Sequence, residues 1–119
     1  MNAETLKLRL KQFAYRCTKV CQILPKEYLS EVISKQLIRS AFSTAANYRA
    51  ACIAQSKKAF TAKLSIALEE IDESLFWLKV ITDLELVEKK KLTLLNQEAL
   101  ELVKILSSAR KTAQKKNEN

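Results

Sequence analysis

The chain reads as all-α, an antiparallel up-down-up-down four-helix bundle with left-handed packing, on three observations. Its 119 residues include no glycine and a single proline, Pro25, so the tight bends of a β-rich fold lack their usual residue. Leu, Ala, Lys and Glu dominate the composition, as they do in long helices. Apolar side chains recur at alternating spacings of three and four in four successive blocks, each the mark of one buried helical face. A chain of this length suits one domain, residues 1–119, around one core.

The first helix is expected over residues 4–24, with Leu6, Leu10, Phe13, Cys17, Val20 and Leu24 on its inner stripe. Pro25 ends it, because proline lacks a backbone donor and disfavours helical backbone in the residue before it. The second helix, over 27–54, turns Ile33, Leu37, Ala41, Thr44, Tyr48 and either Cys52 or Ala51 inward. Ser56 is placed as the N-cap of the third, its hydroxyl accepting from a free backbone N–H one turn on. That helix, over 57–84, carries Phe60, Leu64, Ala67, Ile71, Leu75, Leu78 and Thr82 inward.

The break before the fourth helix is the faintest. Asp83 to Glu88 contains neither Gly nor Pro, and Lys89 to Lys91 stand where a helix dipole favours anions. The fourth helix, over 88–114, follows from Leu92, Leu95, Ala99, Leu102, Leu106, Ala109 and Ala113, and the closing QKKNEN is expected to fray. Short connections make neighbouring helices antiparallel.

Helices two and three carry a second apolar seam. Opposite their core stripes lie Phe42, Ala46, Arg49 and Ile53 on one, and Ile66, Glu69, Glu73, Phe76, Trp77 and Val80 on the other. A helix apolar on two faces is packed on two faces, and in a single bundle only another subunit covers the second. The seam therefore predicts a homo-oligomer joined through helices two and three. Scattered exposed apolar residues are the competing explanation. Arg39, level with this region, is expected to pair with Glu69 or Glu73, within the chain or between subunits.

The segment LPKEYLSEVISKQLIRSAFSTAANYRAACIAQSKKAFTAKLSIALEEIDESLFWL adds a recognisable pattern. Leu24-Pro25 follows the first helix; Gln36, Arg39-Ser40-Ala41, Ser43 and Ala46-Asn47 form a core motif. Ser56, Phe60, Glu70, Glu73-Ser74 and Phe76-Trp77 continue it downstream. These residues resemble the bacterial four-helix bundle proteins encoded in 23S rRNA intervening sequences, over about residues 13 to 87. Many members read Asn-Ile-x-Glu-Gly where this chain has Asn47-Tyr48-Arg49-Ala50-Ala51. The resemblance implies an up-down bundle assembling as a homopentamer, with no established catalytic activity. The chain is similar, too, to the accessory variability protein of diversity-generating retroelements, which implies nucleic acid and a reverse transcriptase as partners.

Charge and residue chemistry narrow the function. With 21 Lys and Arg against 13 Asp and Glu, the net charge is +8, which suits either an anionic partner or simple solubility. The absence of histidine removes the commonest general base and metal ligand. Glu69, Glu70, Asp72 and Glu73 form an acidic cluster whose expected role is ion pairing. Cys17, Cys21 and Cys52 are expected as reduced thiols in a cytoplasmic protein, since the count is odd and no signal peptide precedes them. No apolar run approaches the ~20 residues of a membrane span. The expectation is a non-enzymatic protein without metal or cofactor.

The first and fourth helices carry the basic excess, with a balance of +4 over residues 1–25 and again over 88–119. Lys7, Arg9, Lys11, Arg16 and Lys19 on one, and Arg110, Lys111, Lys115 and Lys116 on the other, are the candidate contacts to RNA or DNA. Lys7, Arg9 and Lys11 are expected to converge with the last four at one end of the bundle. No sequence-reading motif accompanies them, so binding is expected to follow the phosphate backbone. The alternative is a protein-interaction scaffold, for example an accessory subunit of a reverse transcriptase.

Overall fold

Asn2 starts the first helix, its side-chain oxygen accepting the Thr5 N–H at 2.8 Å, and four helices follow in the computed structural model, which describes residues 1–118. They are α1 (Ala3–Gln22), α2 (Tyr28–Cys52), α3 (Lys57–Asp83) and α4 (Lys89–Glu118). Ser56 caps α3 as its position suggests, accepting from the Ala59 N–H at 3.0 Å. Among the described residues there is no strand.

Cross-chain pairs set the topology. Tyr15 meets Phe42 between α1 and α2, Ser40 meets Ser74 between α2 and α3, and Asn96 meets Thr82 between α3 and α4. Arg9 meets Glu98 between α4 and α1, closing an antiparallel bundle 50 Å long and 22 Å across. Between them the four inner stripes meet in one core, with Leu10, Phe13, Ile33, Leu37, Leu78 and Leu102 fully buried.

Small side chains let α2 and α3 approach closely. Ser40 and Ser74 are both wholly buried, with hydroxyl oxygens 2.7 Å apart. Ser74 also donates to the Glu70 carbonyl in its own helix, and Thr44 to the Ser40 carbonyl. Buried hydroxyls are tolerated here because each has a partner.

The helix ends mostly fall within two residues of expectation, α1 closing at Gln22 and α2 at Cys52; the end of α4 departs further. The tail expected to fray after residue 114 is helical through Glu118, because it lies against α3: Ala113 is buried, and Asn117 donates to the Thr61 hydroxyl at 2.8 Å. Asn119 lies outside the described residues. At the α3–α4 break, Glu85 takes a left-handed backbone, φ 55. The Leu86 N–H reaches back to the Ile81 carbonyl and the Glu85 N–H to that of Thr82, each at 3.1 Å. This is a helix-ending arrangement that glycine normally serves, filled by glutamate in a chain that has no glycine. Glu85→Gly is therefore expected to stabilise the fold by about 0.5–1 kcal/mol, the relieved left-handed strain exceeding the added unfolded-state entropy. A urea midpoint that falls in this variant contradicts the reading.

Candidate nucleic-acid interface

The basic residues of α1 and α4 do not form one surface. Arg9 points at α4, where its guanidinium grips Glu98 through two bonds of 2.8 and 2.7 Å and reaches Glu101 at 2.9 Å. Its side chain is only 22% exposed and that of Glu98 17%. Arg9 is thus a strut between helices, its guanidinium taken up by Glu98 and Glu101 and turned away from Lys7 and Lys11.

That strut makes a pH prediction. The Arg9 hydrogen bond, opposed by desolvation, holds the Glu98 carboxyl below the ordinary carboxylate range. A carboxyl depressed in the folded state stabilises the fold above its unfolded value of about 4.3, and that contribution disappears as pH falls through the folded value. Glu98→Gln should lose about 1–2 kcal/mol at neutral pH, and the gap to wild type should narrow sharply near pH 3. Urea midpoints at the two pH values decide it; a gap unchanged by acid contradicts the assignment.

Lys7 and Lys11 face α2 instead of converging with the end of α4. Together with Leu8 and Tyr15 they line a cleft of about 580 Å³, with Phe42, Ala46 and Arg49 on its other wall. Glu4 is the acid on its rim among the described residues, and Lys7 holds it at 2.6 Å. The Tyr15 and Phe42 rings lie 6.0 Å apart at a 58° tilt, and they are 51% and 39% exposed.

Arg16 and Lys19 take a different course. They line a groove of about 280 Å³ with Lys90 and Lys91, floored by Val20, Ile23, Leu94 and Leu95. Among the described residues no carboxylate lines it. Lys90 makes one contact, to Glu88 at 3.5 Å, with both side chains largely exposed; such pairs contribute little. Lys90 and Lys91 were not among the expected contacts. Their signal was visible as cations at a helix N-terminus, where the dipole repels them.

The far end of α4 is separate again. Arg110 donates to the Ser65 hydroxyl at 3.0 Å. Lys116 and Lys57 border an apolar hollow of about 440 Å³ that includes Phe60, Ala109 and Ala113. Lys111 and Lys115 are exposed.

The comparisons with known proteins agree with this architecture. A family model described as 23S rRNA-intervening sequence protein matches residues 7–108. The chain belongs to that family. A solved relative is a protein of unknown function from the S23 ribosomal protein family of Bacteroides thetaiotaomicron, 34% identical, with a TM-score of 0.83. The match covers 93% of this chain and 99% of that one. No curated protein matches.

In this family member the second seam is divided. Phe42, Ala46 and Arg49 stand beside α1, as described, whereas Ile53, Ile66 and Phe76 are exposed on α2 and α3. Ile53 is 78% and Phe76 55% exposed. Trp77 is half-buried, meets the Phe76 ring edge-on at 5.0 Å, and donates from Nε1 to Glu73 at 3.2 Å. Val80 is half-buried. Arg39 pairs within the chain, with Glu73 and with Glu70 at 2.6 Å. Glu73 is one of the two expected partners and Glu70 is an additional one; Glu69, one residue round the helix, lines a cleft with Asp72 and Arg110.

All three cysteines are free thiols. Burial pushes the Cys17 and Cys21 thiols upward, away from the thiolate a nucleophile needs at neutral pH. Among the described residues no helix is long and apolar enough to cross a membrane.

Proposed function

We propose that the protein is a non-enzymatic, oligomeric bundle of the cytoplasm that binds the phosphate backbone of RNA or DNA along α1 and α4. One observation carries the reading: Arg16, Lys19, Lys90 and Lys91 share a groove that no carboxylate lines among the described residues. Clustering like charges costs stability, and a polyanion that releases its counterions on binding gives that cost a use. Arg9 and Arg110 are better read as internal struts, while Lys111, Lys115 and Lys116 offer supplementary contacts at the far end.

Oligomerisation is part of the proposal. Ile53, Ile66 and Phe76 leave apolar surface open on α2 and α3, and a second copy of the chain is its proposed cover. The family resemblance implies a pentamer.

The test is a polarisation titration of labelled RNA and DNA across salt, with the mass measured by sedimentation. Affinity should fall steeply with salt, and the mass should be a multiple of the chain's. No binding at low salt overturns the nucleic-acid reading. A monomer overturns the oligomer and favours the accessory-subunit alternative, in which another protein covers the seam.

A further inference from the structure

The cleft between α1 and α2 combines exposed aromatic rings, which the backbone grip does not use, with a row of cations along α1 that reaches the grip at Lys19. Lys11, Tyr15 and Lys19 follow one another at four-residue intervals on α1 and all are exposed. A helix rises about 6 Å and turns about 40° beyond one full turn over four residues, so these side chains form an inclined row that winds from the α2 side toward the α4 side. Phe42 brings a second ring to the track from α2, 6.0 Å from Tyr15. Lys7 and Arg49 lie at its N-terminal end, in the same cleft. Lys7 is tied to Glu4, but that partner's side chain is 82% exposed, and an exposed pair opens at little cost.

From this arrangement we infer that the α1–α2 cleft is a binding site for single-stranded nucleic acid. Bases stack on Tyr15 and Phe42, and phosphates follow Lys7, Lys11 and Arg49. The inference rests on the proposed nucleic-acid function and narrows its substrate. Two arguments favour a single strand over a duplex. The rings stand in a cleft, where a base reaches them only if it is free of a partner strand. The cations also lie on both sides of the rings, as a backbone passing over stacked bases requires. Lys19 then continues the track into the α1–α4 groove, so that one strand crosses α1 and meets both basic sites.

Stacking surfaces on aromatic side chains are sequence-tolerant, because every base has a π-face. The site is accordingly expected to discriminate strandedness and to read little sequence.

The probes are a labelled twelve-residue oligo(U), the matching oligo(dT), and a duplex of equal length, each titrated against the full protein at one low salt concentration. Tyr15→Ala with Phe42→Ala should weaken single-strand binding by about tenfold or more while duplex binding moves less than twofold. Tyr15→Phe, which keeps the ring, should retain wild-type affinity. Wild-type binding with no loss in the double variant overturns the cleft assignment and leaves the α1–α4 grip standing. Absence of binding by the wild type overturns both. A changed sedimentation mass in the double variant identifies the cleft as a contact between copies and overturns the inference as well.

Discussion

Replacing Arg16, Lys19, Lys90 and Lys91 together by alanine should flatten the salt dependence of nucleic-acid binding and raise the stability of the free protein slightly. Each phosphate contact contributes about 0.7 to 0.9 to the slope of log affinity against log salt. Four contacts removed therefore make the slope shallower by about three, and near 0.1 M salt the same term corresponds to about a thousandfold in affinity. Stability should move the other way. Lys90 and Lys91 stand in the first turn of α4, where the dipole disfavours cations by about 0.3–1 kcal/mol each. Removing a cluster of like charges relieves further repulsion. Affinity and stability changing in opposite directions is the pattern of residues kept for binding. An affinity that survives the quadruple change intact contradicts the groove; a loss of both contradicts the claim that these side chains are structurally dispensable.

The inner faces of all four helices were legible because burial in a bundle repeats with the helical period. Leu6 through Leu24, Ile33 through Tyr48, Leu64 through Leu78 and Leu92 through Leu106 fall inward as their spacing says, whereas Phe60, Thr82 and Ala109, at the stripe ends, are half-buried. The Ser56 cap was legible because one hydroxyl and one free N–H suffice to make it. The α3–α4 break was hard to see because its signal is a residue in the wrong conformation: Glu85 holds a left-handed backbone that no composition rule assigns to glutamate.

The candidate site was legible in charge and illegible in direction. Counting cations per helix gives the excess on α1 and α4, but Arg9 and Lys11 differ by about 200° around a helix. One meets two carboxylates on α4, and the other borders an aromatic pair beside α2. Lys90 joins Arg16 only through the register of two antiparallel helices, which depends on packing along their whole length. Arg39 takes Glu73, one of its two expected partners, and its second partner is Glu70, one position from Glu69, for the same reason. One position is about 100°.

Ser40→Leu should destabilise the fold by about 3 kcal/mol, three times the loss expected of Ser40→Ala. The residue is fully buried between α2 and α3, and its hydroxyl lies 2.7 Å from that of Ser74. Alanine removes the Ser40 hydroxyl's two contacts, to Ser74 and to the Leu37 carbonyl, which share its one proton, and Ser74 keeps its bond to the Glu70 carbonyl, so no donor is stranded and the loss stays at ~1 kcal/mol. Leucine adds atoms for which there is no room, and the helices must part. Their separation would also pull Arg39, one residue before Ser40, from Glu73 and Glu70, one and four residues before Ser74. If space between the backbones is what the small residues of α2 supply, the two variants will differ in urea midpoint by the margin stated. If the hydroxyl pair is what matters, alanine and leucine will cost alike, since both abolish it. The second outcome would leave Ser40, Ala41 and Thr44 without a packing rationale.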